Sequence, residues 1–486
     1  MAVITRKQQI LAKVQTAEGV PATPGASDAI QVFEPSLSDE VDLLSRVPAG
    51  ASLSRDYEPV GKKTRQFTFK SDLRGSADTT LPITEPEWGR LGRPCGLRAD
   101  TAAIVQVPFS SITGAFQLGE VVYSATSANR GVVVGLITGT PAFTHRLPTS
   151  GTVIVWVFSG TFASLATVTG EHSGATGAAG TVAPYAGLAY APDSVKSTTI
   201  TTASWTGGTP SVGDVLLVKT AGVVVGAIQI TVDNGSMLSL DANQLYGTVS
   251  NGDTLTNDAG RSCTINSAPA CNRTPPLTIW NNLDGRRFPL TDSRGTFSLE
   301  GEAGQPLQFS WTFNGTPGTA TDVLATTTTG LSAISPPRLF GSTFVAGSGA
   351  NTAGAAGSGA MANLFRMPLK RFALDLGGQV AASMDANQAG GVGAANVTDR
   401  DPVFTITVDQ IHGAFDWQSM RDNSTPVRIG LLMGTAAGNC MTIVAANCQV
   451  TQVNSADSDG VAVWEVTLKP RRIRESGDDE FLITQI

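Results

Sequence analysis

Only three histidines occur in 486 residues, His145, His172 and His412. A zinc site built on histidine needs ligands at short fixed spacing, and no HExxH or HxH pattern occurs. There is no GxSxG elbow for a nucleophilic serine, no P-loop and no GxGxxG. The three histidines therefore read as solvated or hydrogen-bonded side chains. The five cysteines are Cys95, Cys263, Cys271, Cys440 and Cys448, with no CxxC among them. Cys263/Cys271 and Cys440/Cys448 lie at a spacing that can cross a hairpin, and a disulfide would need matched Cβ geometry. Reduced, packed thiols are the expectation, with either pairing left open. Asp457-Ser458-Asp459-Gly460 resembles part of a calcium loop, but position 12 of that loop would be Val466. It reads as a hairpin turn between Cys448–Val453 and Val461–Leu468, as does Asp284-Gly285.

What remains is a charge cluster near the C-terminus. Lys469, Arg471, Arg472 and Arg474 are followed by Glu475, Asp478, Asp479 and Glu480. As a bland feature this is a solvated loop. As a functional one, opposite charges adjacent in sequence meet their counterparts on a neighbouring copy of the chain. The candidate inter-subunit contacts are therefore Arg471, Arg472, Arg474, Glu475, Asp478, Asp479 and Glu480. No catalytic residue, metal or cofactor is expected, and the chain does not read as an enzyme.

The elements that would carry such contacts are strands. Charged residues make up 15%, hydrophobic ones 41%, and there are 53 Gly and 26 Pro. Few Lys and Glu with much Thr, Val and Gly argue for many short strands joined by turns. A net charge of -7 speaks against tight binding to phosphates. The N-terminus has no apolar run long enough for a signal peptide, and no stretch of ~18 apolar residues predicts a membrane span. The chain is expected to be soluble and cytoplasmic when made.

Residues 1–105 predict strands at Gln8–Gln15, Ala29–Phe33 and Lys63–Leu73, a short helix at Ser38–Arg46 and a second helix at Glu85–Leu97. In Lys63–Leu73, Phe67 and Phe69 point one way and Gln66, Thr68 and Lys70 the other. Trp88 and Leu91 form the core face of the second helix. Residues 106–275 hold only six Lys/Arg and eight Asp/Glu. This stretch repeats. Leu118-Gly119-Glu120-Val121-Val122 with Gly131-Val132-Val133-Val134-Gly135 corresponds to Val212-Gly213-Asp214-Val215-Leu216 with Gly222-Val223-Val224-Val225-Gly226. Phe158–Phe162 and Val249–Asp253 are a further correspondence. Two tandem β modules follow from this. Residues 276–486 return to alternating strands with one apolar face: Leu307–Phe313, Phe372–Leu376, Phe404–Val408 and Trp464–Leu468. The stretches Ala346–Ala362 and Ala386–Ala395 read as loops or connectors.

Three blocks resemble the major tail tube proteins of long, non-contractile-tailed bacteriophages. The first is Ile10–Gly19 followed by a Pro-rich loop and Asp28–Val32. The second is Asp292-Ser293-Arg294-Gly295-Thr296-Phe297, then Gly304-Gln305-Pro306 and Leu307–Phe313. The third is Ala445–Gln452, the Asp457–Gly460 turn, Trp464, and Ser476–Phe481. The resemblance covers 1–105 and 276–486 and leaves 106–275 as an insertion of two small β modules, similar to immunoglobulin-like or small-barrel decorations and carried outside. It implies an antiparallel β-sandwich or half-barrel core flanked by a short helix, closed into hexameric rings that stack into a tube. The partners so implied are further copies of the chain, the tail terminator, tape measure and distal tail proteins, and viral DNA passing through the lumen without specific binding. No membrane partner is implied. The location implied is the virion, after assembly in the host cytoplasm. The rival readings are a host- or carbohydrate-binding tail or fibre protein, whose sign is a shallow surface cluster of Trp and Tyr, and a capsid or head-decoration protein.

Overall fold

A computed structural model describes residues 7–16, 18–45, 57–80, 83–100, 104–124, 129–139, 143–193, 197–211, 214–233, 239–247, 249–257, 260–267, 274–323, 331, 334–348, 364–386, 391–411, 415–473 and 478–486. The chain is mainly β and antiparallel. It divides into two compact units, Met1–Pro192 with Pro275–Ile486, and Asp193–Thr274.

The larger unit is organised on one path of strands. In order they are Phe33–Leu43, Val60–Asp72, Gln308–Pro317, Arg286–Glu302, Leu369–Asp375, Val403–Asp409, Val461–Pro470, Met441–Ser458, Val427–Met433, Thr343–Ser348 and Leu364–Met367. Each is antiparallel to the next. Two branches leave the path. Leu277–Leu283 joins Gln8–Val14 to the first half of Arg286–Glu302. Leu482–Gln485 joins Met441–Ser458 to Leu188–Pro192, which pairs with Leu97–Asp100. Strand Arg286–Glu302 serves two neighbours by bulging between Thr291 and Arg294, where Asp292 takes φ 49.

The period-2 pattern is what gives this sheet its two faces. Phe67, Phe69, Phe297, Phe309, Trp311, Phe313, Phe372, Leu374, Phe404, Ile406, Val466 and Leu468 all enter one buried cluster. Helix Glu87–Gly92 lies on that face: Trp88 stacks on Phe309 at 5.4 Å and meets Tyr190 at 4.4 Å. Its start is fixed by the buried Arg74–Glu87 ion pair at 2.7 Å and by Trp88 Nε1 donating to Arg74 O. The helix expected over Glu85–Leu97 ends earlier, and Arg93–Cys95 is a single 3₁₀ turn.

Four other expectations are corrected. Ser38–Arg46 is not a helix; residues up to Leu43 are strand, because Ser38, Asp39 and Glu40 find cross-strand partners in Gln66, Arg65 and Thr64. Those partners, an Asp39–Arg65 ion pair among them, override a weak local propensity. Ala29–Phe33 is two elements, Ala29–Ile30 and the start of Phe33–Leu43. Ala346–Ala362 begins within strand Thr343–Ser348, and residues 349–363 lie outside the described residues. Ala386–Ala395 is partly strand: Val392–Asp399 pairs with Gln379–Met384, and Val392 and Ala395 are buried. Asp284-Gly285 and Asp459-Gly460 are tight hairpin turns with positive φ at both residues.

The middle of the chain contains two rings of six strands. The first ring uses Ile104–Thr113, Val121–Ser124, Arg130–Ile137, Gly151–Ser159, Thr167–Gly170 and Thr176–Ala179. The second uses Ser197–Thr202, Val215–Thr220, Val223–Asp233, Ser239–Gly247, Thr254–Thr256 and Ser262–Ser267. Numbered along the chain, both rings have the order 1-4-3-2-5-6 and close on themselves. The signature they share is a turn. Glu120 accepts from Gln117 N at 2.6 Å, Asp214 from Ser211 N at 2.9 Å and Asp253 from Ser250 N at 2.8 Å. Gly119 and Gly252 supply the positive φ such a turn needs, 79 and 86.

The sequence correspondences shift accordingly. Val133 N donates to Glu120 O and Ile230 N to Asp214 O, so Val133 is the counterpart of Ile230 and not of Val224. The two Gly-Val-Val-Val-Gly strings are thus out of structural register. Likewise Ser250–Asp253 matches Ala163–Ala166, not Phe158–Phe162: Gly252 N and Leu165 N donate to Ile265 O and Ala179 O, which sit at equivalent places.

The expected boundary at 275/276 lies one residue from the observed division at Thr274/Pro275, whereas the other division falls at Pro192/Asp193 and not at 105/106. Only the second ring is a unit of its own. The first shares a hydrophobic cluster with the sheet: Leu118, Val132, Val134, Ile154 and Trp156 pack with Leu432, Val444, Leu482 and Ile486. A Cβ on Gly119 would lie 3.2 Å from Val444, so its hydrogen lets the backbone approach. At the same seam Glu120 and Arg428, 0% and 1% exposed, lie 4.0 Å apart.

Candidate assembly surfaces

The sheet face opposite the core is polar from Val60–Asp72 to Val461–Pro470; beyond them Val345, Leu432, Val444 and Ala446 make it apolar where the first ring packs on it. Thr68, Thr312 and Thr296 form one rung, and Lys70, Ser310, Ser298 and Asp375 the next. Beyond them lie Asp72, Gln308, Glu300, Ala373, Thr405 and Thr467. Lys70 pairs with Glu34 at 2.7 Å and Arg371 with Glu300 at 3.0 Å. The Glu34 carboxylate holds the Lys70 ammonium above the ordinary lysine pKa. A notch of about 270 Å³, lined by Lys70, Glu300, Glu302, Gln305, Gln308 and Arg371, closes one end of this face. Hydroxyls and amides dominate, and the charges present are largely paired.

Among the described residues, the strands at both ends of the path, Phe33–Leu43 and Leu364–Met367, are paired along one edge only. The first end also projects. From Ser38 to Ser45 and from Tyr57 to Val60 every residue is exposed. The resulting arm extends roughly 20 Å at ~3.4 Å per residue. Its described residues include the exposed Val41, Leu43, Leu44, Val60 and Tyr57, the last 100% exposed. Nothing in the sequence marked this arm, because its apolar residues are sparse and sit among charges; the signal available was the alternation Leu37, Asp39, Val41, Leu43 against a second alternating strand.

Two resemblance blocks meet in space. Arg294, 1% exposed, donates to Glu18 Oε1 at 2.6 Å and to Ala395 O, and Gly19 N donates to Asp292 Oδ1 at 2.8 Å.

Of the seven expected contact residues, Arg471, Arg472, Asp478, Asp479 and Glu480 are described. Asp478 and Glu480 are held by Arg400 at 2.5 and 3.1 Å, and Asp479, 1% exposed, accepts from Ile473 N at 2.9 Å. This acidic group is engaged inside its own chain, where it anchors the buried strand Leu482–Gln485. The signal missed was Arg400, far away in sequence. Arg471 and Arg472 are exposed, and Arg471 Nη2 donates to Gln449 Oε1 at 2.8 Å. Arg474 and Glu475 lie outside the described residues, as do His412 and Cys271.

Cys95, Cys263, Cys440 and Cys448 are buried free thiols. Burial pushes the Cys440 and Cys263 thiols up to about 12. His145 is half-buried, and desolvation with Arg366 and Arg146 nearby lowers its pKa; His172 is buried. Of the seven Trp, Trp88, Trp156, Trp311 and Trp417 are buried and Trp205, Trp280 and Trp464 half-buried. Among the described residues no group of His, Cys, Asp and Glu converges as a metal site, and no helix is long and apolar enough to cross a membrane. The sequence matches no protein-family model and no curated protein.

Proposed function

We propose that this chain is a structural virion subunit that closes into six-membered rings, and that the rings stack into the tail tube through which viral DNA passes. The observation that carries the reading is the eleven-strand path, with one apolar face, a second face that is polar over its first seven strands, and an end strand on each side that among the described residues is paired along one edge only. Open edges of this length invite pairing with another chain, and a ring of identical copies satisfies them all. The polar face suits a channel wall. Its Thr, Ser and Gln rungs and its slight acidic excess offer phosphates no counter-charge to release. The resemblance of the blocks around Glu18 and Arg294 to tail tube proteins points the same way, and so does their joint role as a clamp. Tail terminator, tape measure and distal tail proteins are the further partners of such a tube.

Negative-stain microscopy of the purified chain tests this. Hollow tubes with sixfold end views are the expected result; closed shells, or monomers under every salt condition and with tail-initiating partners present, overturn it. A second expectation concerns Arg471 and Arg472. Reversing both to Glu should lower tube yield while the subunit's thermal midpoint stays within about 2 °C, since exposed charges contribute ~0–1 kcal/mol to folding. An unchanged yield with unchanged salt dependence would make this segment a solvated loop.

A further inference from the structure

Strands Gln8–Val14, Leu277–Leu283, Arg286–Glu302 and Thr321–Asp322 lie side by side, each antiparallel to the next. Directly opposed residues on such strands share a face. One rung of that face is Gln9, Asn282, Arg287 and Thr321, and the next is Leu11, Trp280 and Pro289. Arg287 joins the two rungs. Its Cζ lies 3.5 Å from the Trp280 ring centroid, and its Nε donates to Asn282 Oδ1 at 3.1 Å. Asn282, 4% exposed, in turn donates to Gln9 Oε1 at 3.3 Å. Stacking and hydrogen bond together fix the plane of the guanidinium. Among the described residues its two terminal nitrogens make no hydrogen bond.

We propose that this face binds an acidic sugar, whose carboxylate sits on the Arg287 fork and whose ring lies along Thr321, Trp280 and Pro289. Three observations carry it. A guanidinium held in one plane matches a planar carboxylate with two parallel hydrogen bonds. Arg287 is half-buried, desolvation lowers its pKa and no neighbouring charge offsets that cost, so a bound anion supplies the counter-charge the chain lacks there. The face is also two-sided in character. Exposed Thr321 offers a hydroxyl beside the guanidinium, while half-buried Trp280 and Pro289 form an apolar strip next to it. A pyranose ring has the same division, with hydroxyls at its edge and C–H groups on its face. Charge narrows the choice further. One unpaired guanidinium balances a monoanion, whereas a phosphate dianion would meet Asp284 and Asp322 nearby on a chain of net charge -7. Every group involved belongs to one copy, so the site does not depend on assembly.

The test is titration of the full chain with D-glucuronate, D-glucose and inorganic phosphate, read by calorimetry and saturation-transfer NMR. Glucuronate should bind with a Kd on the order of 1 mM. Glucose offers hydroxyls without the charge and should bind at least about tenfold more weakly. Arg287→Lys keeps the charge but loses the planar fork, and should weaken glucuronate about fivefold or more. Thr321→Val, at an exposed position, should weaken it about threefold and keeps the site testable if Arg287→Lys fails to fold. Arg471→Lys, on an exposed arginine elsewhere, should change nothing. Phosphate or glucose binding as tightly as glucuronate overturns the acidic-sugar site. So does an affinity for glucuronate that neither Arg287→Lys nor Thr321→Val alters. No binding of glucuronate at all leaves Arg287 as a packing group on Trp280 and overturns the site as well, with the tube reading untouched.

Discussion

Excising residues 194–273 and joining Asp193 to Thr274 through a short Gly/Ser linker should leave a soluble, fully β protein with a cooperative melt. Excising 111–269 should give insoluble product. The second ring is a unit with its own core of Ile200, Leu216, Val218, Ile228, Ile230, Leu255 and Ile265. Its first and last strands are neighbours, with Thr201 opposite Ser267, so a short linker can span its place. A closed ring has no open edge, and the isolated segment 193–274 should itself remain soluble.

The longer excision removes much more than the second ring. Strand Leu188–Pro192, which covers Leu482–Gln485, is lost. Val444, Leu432, Leu482 and Ile486 lose Leu118, Val132, Val134, Ile154 and Trp156 as neighbours. At ~1.5–3 kcal/mol for each of these four uncovered side chains, this is about 6–12 kcal/mol, as much as the whole stability of a typical domain. Circular dichroism and sedimentation of the two products decide the matter. A soluble, cooperatively melting 111–269 deletion would show that the first ring is only an appendage.

The second large effect is expected at the seam between the first ring and the sheet. Glu120 accepts from Gln117 N at 2.6 Å and Ser173 N at 3.2 Å, and Arg428 donates to Gln117 Oε1. Both ions are fully buried, and removing one strands the other without counter-charge. Glu120→Ala or Arg428→Ala should each cost about 3–5 kcal/mol in denaturant unfolding. The double variant Glu120→Leu/Arg428→Met should recover most of that loss, because apolar groups of similar size need no desolvation penalty. A single variant costing less than about 1 kcal/mol would show that the pair is hydrated.

The same site has a pH signature. Burial raises the Glu120 carboxyl, while Arg428 opposes the shift; burial lowers the Arg428 guanidinium to about 10. A carboxyl raised on folding contributes stability that is complete below its unfolded pKa of ~4.3 and is lost as pH rises through the folded value. Glu120→Gln removes that decline. Its deficit relative to the unmodified chain should therefore be largest near pH 4 and shrink toward neutrality. Arg428 adds no slope between those limits, being charged in both states until pH approaches 10.

The faces of the sheet were legible in the local pattern of residues. In Leu307–Phe313, Phe372–Leu376 and Phe404–Val408 the alternate apolar side chains are in the core, because a pleated strand with one buried face admits no other register. The local pattern also marked the Asp284-Gly285 and Asp459-Gly460 turns, whose positive φ few residue pairs accept. Tertiary structure alone decided what lay across the chain. Ser38–Leu43 is a strand because Val60–Asp72 offers it partners. Asp478 and Glu480 are internal because Arg400 reaches them from 78 and 80 residues away. The repeat was legible in its Gly-acid turns, but the Gly-Val-Val-Val-Gly strings misaligned it, since a run of β-branched residues fits many registers and only the hydrogen bonds of the turn select one. The first ring joins the sheet through Gly119 and the Glu120–Arg428 pair, over 300 residues apart in sequence. Local composition reports which residues favour burial; it carries no record of which distant surface will do the burying.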